Sequence, residues 1–152
     1  FAVDVTTSQL AWKLQQDPRV TPIEVNARYL QAAALDEPPT LVTVDLSFIS
    51  VTKVLPRLIE LAAPGAEFLI LVKPQFELER SDIGSGGIVR DPALQERAVD
   101  KVREAAQSLG LLVTGSRASH VPGAEGNQEY LLYGQYGPTS ESARQEPGLS
   151  DN

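Results

Sequence analysis

The segment Glu67-Phe68-Leu69-Ile70-Leu71-Val72-Lys73-Pro74-Gln75-Phe76-Glu77 carries five apolar residues straight into a lysine and a proline. A short continuous apolar run closed by a helix-and-sheet breaker predicts a buried strand, here over residues 67–73. That strand ends on Lys73. An ammonium at the end of a buried strand costs several kcal/mol unless a carboxylate stands near it or its proton is meant to move. Two carboxylates, Asp45 and Glu129, lie at the ends of two other strand-like segments, residues 40–45 and 129–133. Together the three predict a charged catalytic cluster along one edge of an α/β sheet.

Outward from this strand, Val51, Val54, Leu55, Leu58, Ile59 and Ala62 recur at helical spacing, with Pro56 setting the regular part to begin near Leu55. Downstream, Asp91-Pro92 opens a long amphipathic helix over residues 93–109, with Asp91 as cap, Pro92 at the first position and Gly110 as stop. Strands follow at 111–116 and 129–133, joined by a turn-rich stretch at 122–127. Upstream, residues 1–5 read as a strand with Asp4 at its end. A helix over 8–16 capped by Ser8, a weak strand at 20–23 and a short helical stretch at 26–34 come next. Residues 81–87 form a glycine-rich loop. The chain after Gly134 is polar, so the domain is expected over 1–133 and a disordered tail over 134–152. Strands alternating with helices predict a parallel sheet covered on both faces, with an antiparallel hairpin at one edge. Ligands of such sheets sit beyond the carboxyl ends of the strands, where Asp4, Asp45 and Lys73 fall.

Bulk properties narrow the function. The 152 residues with 42% hydrophobic content suit one soluble globular domain. No apolar run approaches the ~18 residues that span a bilayer, and no signal peptide opens the sequence, so a membrane role is not expected. Zero cysteines and a single histidine, His120, predict no metal site. A net charge of −7 is a poor match for a stand-alone nucleic-acid binder; an RNA partner would be gripped mainly by other parts of the molecule. The chain has no methionine and starts inside an apolar strand pattern. It is therefore expected to be a piece of a longer protein.

Several motifs in order resemble one family. They are Asp4-Val5 with Gln9-Leu10-Ala11-Trp12-Lys13-Leu14 and Asp17-Pro18-Arg19-Val20; Val44-Asp45-Leu46-Ser47-Phe48-Ile49-Ser50; and Val72-Lys73-Pro74-Gln75-Phe76-Glu77. Gly86-Gly87-Ile88-Val89-Arg90-Asp91-Pro92 and Gly126-Asn127-Gln128-Glu129-Tyr130 complete the set. Over roughly the first 133 residues the chain resembles the TlyA (hemolysin A) family of FtsJ-like ribosomal RNA 2′-O-methyltransferases. The resemblance implies a Rossmann-like, S-adenosylmethionine-dependent methyltransferase sheet, here lacking its first strand. It implies methylation of cytidine ribose 2′-hydroxyls in ribosomal RNA, in the cytoplasm, with ribosomal subunits as partners. Of the family's Lys-Asp-Lys-Glu tetrad, Asp45, Lys73 and Glu129 match the last three. For the cofactor, Asp4 is implied to bind the ribose hydroxyls, Asn26 the adenine edge, and Asp45 to lie near the sulfonium. The first lysine and the glycine loop of the cofactor pocket are expected upstream of Phe1, so the chain by itself is expected to be inactive.

Taken singly, each residue also has an ordinary reading. Asp45 can cap the following helix, Lys73 can reach to water past its strand end, and Glu129 can be the outward glutamate of an edge strand. Trp12 reads as core. Two rival functions remain: a non-catalytic methyltransferase-shaped module that binds RNA or ribosomes, and a hemolysin-type membrane-active protein.

Overall fold

Alternating burial along residues 67–72 organises the molecule: Phe68, Ile70 and Val72 are fully buried, while Glu67 and Leu69 face outward. The computed structural model describes residues 1–137. Along the chain run β1 (Ala2–Asp4), the one-turn helix α1 (Trp12–Gln15), β2 (Pro22–Glu24), β3 (Leu41–Val44) and α2 (Leu55–Leu61). Then come β4 (Glu67–Val72), the one-turn helix α3 (Pro74–Glu77), α4 (Pro92–Ser108), β5 (Leu111–Ala118) and β6 (Tyr130–Tyr136). The larger sheet has the order β3-β4-β6-β5, with β3 parallel to β4 and β6 antiparallel to both its neighbours. β1 and β2 form a separate parallel pair. A cleft of about 200 Å³ separates the two sheets, lined by Phe1 and Val3 on one side and by Leu41 and Thr43 on the other. The unpaired edges of β1 and β3 both border it.

The core lies on one face of the larger sheet. Leu55 and Ile59 of α2 and Val99, Val102 and Ala106 of α4 join Phe68, Ile70 and Val72 in a single buried cluster. The expectation of a sheet covered on both faces is therefore corrected. Both helices pack on the face that β4 presents through its even-numbered residues, and among the described residues no helix covers the other. Leu41, Leu69, Leu112 and Tyr133 are exposed in consequence.

Local signals held where they were strong. Asp91 Oδ1 accepts the Ala93 amide at 2.9 Å, Pro92 opens α4, and Gly110 ends it with a φ of 92° that favours glycine. Pro56 sits in the first turn of α2. Where the signals were weak, the helices are shorter. The stretch 8–16 is helical only over α1; Ser8 caps nothing, and α1 buries none of its residues. Trp12 is 72% exposed and is not core, because α1 has no second layer among the described residues to pack on. The stretch 26–34 is two 3-10 turns, Ala27–Tyr29 and Ala32–Ala34.

The final strand runs through Tyr136, three residues past its expected end. Gly134 is not a stop: a Cβ there would meet the Leu112 carbonyl at 3.1 Å, so the glycine permits close strand approach. Gln135 pairs with Glu67 across the ladder and donates its side-chain amide to the Gly65 carbonyl at 3.1 Å. The remainder of the expected tail, residues 138–152, lies outside the described residues. Truncating the hub of this cluster, Phe68→Ala, should lower the stability of the full-length protein by about 3–5 kcal/mol in urea unfolding; a loss below ~1 kcal/mol would remove β4 from the centre of the core.

Candidate active site

Strand ends converge on Lys73. β4 stops at Val72, and Pro74, which lacks an amide hydrogen and has a helix-compatible φ, starts α3. Lys73 between them stays extended (φ −110°, ψ 99°). One step beyond the paired residues Val72 and Tyr130 lie Lys73 and Glu129. One step beyond Val44, which pairs with Ile70, lies Asp45. Parallel β3 and antiparallel β6 thus deliver a carboxylate from each flank.

The structure joins the first of these to the lysine directly. Lys73 Nζ lies 2.7 Å from Asp45 Oδ1 and donates to Ser47 Oγ at 3.1 Å. The lysine side chain is only 14% exposed and the aspartate 69%, so the pair neutralises the partly buried cation from the solvent side. An ammonium has three hydrogens to donate. The third has no partner among the described residues.

Glu129 is placed differently. It is buried, and among the described residues it makes no ion pair with Lys73. Its carboxylate instead lies over Gly123, where an added Cβ would fall 2.1 Å from Oε1. The turn beneath it is strapped to the glycine-rich loop by Asn127, a buried residue. Asn127 Oδ1 accepts the Val89 amide at 3.0 Å, and its Nδ2 donates to the Gly87 carbonyl at 3.0 Å and the Ala124 carbonyl at 3.2 Å. The next residue, Tyr130, donates its hydroxyl to Gln95 Oε1 at 2.7 Å and so ties β6 to α4. Burial, and then the Glu96 carboxylate, raise the Tyr130 phenol above its ordinary pKa.

Asp4, Asn26 and Asp45 line one cavity of about 720 Å³, together with Val3, Ser47 and Phe48. The ends of β1 and β2 are stitched at its floor by the Val25 amide, which donates to the Asp4 carbonyl at 2.9 Å. Asp4 Oδ1 accepts a long bond from the Thr6 amide at 3.4 Å, and its other oxygen has no donor among the described residues. Asn26 Oδ1 caps a 3-10 turn by accepting the Arg28 amide at 3.0 Å, which leaves the Asn26 amide hydrogens to donate. The lining combines the Asp4 and Asp45 carboxylates, the Gln9 and Asn26 carboxamides and the cations Arg28 and Lys53 with an apolar wall; the two carboxylates can accept from vicinal hydroxyls and balance a positive charge.

Two residues of this region have no role in the sequence reading. Phe48, three residues after Asp45, is 91% exposed with a left-handed φ of 65°, and its ring is 5.2 Å from that of Phe76. Glu77, the last residue of α3, is buried and accepts from Ser50 and Val51. The available signal was a charged residue and an aromatic inside otherwise apolar motifs. Both ends of the Gln75 carboxamide are buried without a partner among the described residues, and nothing in the structure accounts for it. Among the described residues no group of acidic, histidine or cysteine side chains could hold a metal ion.

A mixed α/β sheet whose strand ends carry a lysine and a carboxylate, beside a cavity with a second acidic strand end, is of the Rossmann-like methyltransferase fold class. The same fold is present in the N-methyltransferase NodS of Bradyrhizobium japonicum in complex with S-adenosyl-L-homocysteine (TM-score 0.57, 11% identity, 88% of this chain and 64% of that one). The profile of the FtsJ-like methyltransferase family matches residues 1–136, and the chain belongs to that family. It is 47% identical over 133 residues to the 16S/23S rRNA (cytidine-2′-O)-methyltransferase TlyA of Mycobacterium tuberculosis, covering 87% of this chain and 50% of the relative. A solved protein described as a hemolysin, from Streptococcus thermophilus, superposes with a TM-score of 0.86 at 38% identity, over 91% of this chain and 50% of that one. The chain thus spans about half the length of the relatives it matches.

Gly123 has an extended backbone that any residue adopts, so a methyl group there acts first through its overlap with the Glu129 side chain, which holds the three nearest atoms. Gly123→Ala should reduce methyl transfer by the full-length protein about tenfold or more while cofactor affinity stays within about twofold. Unchanged transfer would remove Glu129 from the working site.

Proposed function

We propose that this chain carries the methyl-transfer centre of an enzyme that uses S-adenosylmethionine to methylate ribose 2′-hydroxyls of ribosomal RNA, of the cytidine type, in the cytoplasm. The observation that carries the reading is the Lys73–Asp45 pair at the border of the cavity that Asp4 and Asn26 line. The name of the Mycobacterium tuberculosis relative supports the substrate. No helix among the described residues is long and apolar enough to cross a membrane.

When bound, the cofactor supplies an electrophilic methyl group on a positively charged sulfur. The free oxygen of Asp4 would accept hydrogen bonds from its ribose hydroxyls, and the Asn26 amide would donate to its adenine. Asp45, largely exposed to the cavity, would favour the positive sulfur. A ribose hydroxyl is a weak nucleophile that must be aligned with the methyl group. Orientation by fixed groups is therefore the main contribution, worth on the order of 7–11 kcal/mol when complete. The third Nζ hydrogen of Lys73 is available to hold the 2′-oxygen and to stabilise negative charge developing there; as the free amine the same nitrogen would accept the hydroxyl proton. Glu129, on the far flank of Lys73, would hold the first lysine that the family's tetrad implies. The exposed ring of Phe48 offers a stacking surface for a base taken out of its helix. With a net charge of −7 the chain contributes little electrostatic grip, so the phosphate contacts belong to other parts of the protein.

The test uses the full-length protein with labelled S-adenosylmethionine and isolated ribosomal subunits. Lys73→Ala should abolish transfer to RNA while leaving cofactor binding in place. Undiminished transfer would end the assignment.

A further inference from the structure

The loop from Asp45 to Ser50 carries the carboxylate that meets Lys73, yet strand pairing fixes only its first end: Val44 pairs with Ile70, and the pairing stops there. Its second end is held by Glu77. Ser50 Oγ donates to Glu77 Oε2 at 2.5 Å, and the Val51 amide donates to Glu77 Oε1 at 2.8 Å. The Glu77 side chain is 2% exposed, and Lys101 of α4 stands 3.6 Å from Oε2 as its counter-charge. Lys101 Nζ also donates to the Glu77 carbonyl at 2.5 Å, which fixes the end of α3. Glu77 follows Lys73 by one helical turn. One carboxylate therefore joins the loop that bears Asp45 to the turn that bears Lys73.

We infer that Glu77 is a positioning residue that sets the separation of Asp45 and Lys73, and with it the alignment of the reacting hydroxyl. The inference rests on Lys73 being the group that meets the ribose oxygen. Glu77 touches neither cofactor nor substrate; it acts through Ser50 and Val51. The anchor is specific for a carboxylate because Ser50 Oγ has no lone pair to spare. Its hydrogen goes to Glu77, so its contacts with Thr52 Oγ1 at 2.7 Å and the Thr52 amide at 3.3 Å are both acceptances. A glutamine at 77 would turn a third donor toward an oxygen already filled, and the loop would have to shift.

The experiment measures kcat and KM of the full-length protein on ribosomal subunits for four variants. Glu77→Gln should lower kcat about 10- to 100-fold, the range that follows from an ångström-scale displacement of a reacting group, while KM for S-adenosylmethionine changes less than about twofold. Adding Thr52→Val frees a lone pair on Ser50 Oγ for the amide of the glutamine, so the double variant Glu77→Gln/Thr52→Val should recover most of the lost kcat. A residue that merely stabilises the fold would show no such rescue, since removing a second hydroxyl would only add to the damage. If Glu77→Gln does not fold, Ser50→Ala removes the same contact from the loop side and should show the same fall in kcat at constant KM. A kcat within twofold of the native value in the soluble variant, or a double variant no better than the single, overturns the inference. Lys73→Ala in the same series separates the two levels. If it retains transfer, the function of the site and this inference fail together. If it is inactive while Glu77→Gln and Ser50→Ala are not impaired, the inference alone fails.

Discussion

Lys73 meets Asp45 only because β3 and β4 run parallel in one fixed register. Parallel strands finish at the same edge of a sheet, so the residues that follow Val44 and Val72 emerge side by side. β6 reaches that edge in the opposite sense. As an antiparallel strand it contributes the residue before its first, Glu129, in place of one after its last. A one-residue slip of any of the three strands would turn its terminal side chain to the other face and dissolve the cluster. Phe68, Ile70 and Val72 forbid the slip, because it would carry three fully buried apolar side chains to the uncovered face of the sheet.

Charge is distributed with the same economy. The chain is acidic, yet at its centre the less exposed member of one pair is a cation, Lys73, and the less exposed member of the other is a buried anion, Glu77. Each is compensated from the side that solvent can reach, by Asp45 and by Lys101. This arrangement spares both partners the full cost of burying an ion pair, which falls steeply when one member keeps part of its hydration. It also means that the two pairs share walls: the turn that bears Lys73 ends on Glu77, and the loop that bears Asp45 ends on the groups Glu77 holds.

What was legible in the sequence was local. The apolar run of β4, the Asp91-Pro92 start and Gly110 end of α4, and the strand ends at Asp4 and Asp45 all follow from residues within a few positions of one another. What was not legible depended on partners distant in the chain. Nothing near Trp12 tells that no layer of the described residues lies above it, and nothing near Gly134 tells that the backbone of Leu112 passes within reach of a methyl group. The motif from Val72 to Glu77 displayed its charges, but Glu77 finds its donors 26 and 27 residues away, so its task could not be read from spacing. Asn26 shows the same limit at short range. Its side-chain oxygen caps its own turn, and only the amide half of the residue remains for a ligand.

The strained loop between these anchors is explained by them. A left-handed backbone at a phenylalanine costs of order 1–3 kcal/mol and persists only where the surroundings over-determine it. Phe48 sits between an end fixed by the β3–β4 ladder and an end fixed by Glu77, and its ring, 91% exposed, gains only a tilted contact with Phe76 in return. Its own packing does not offset that strain. The stabilisation has to come from the two anchors, which gain a buried strand end on one side and a charge-assisted pair of hydrogen bonds on the other. The core and Glu77 therefore supply the energy that holds an exposed aromatic ring on the wall of the cavity that Asp4, Asn26 and Asp45 also line.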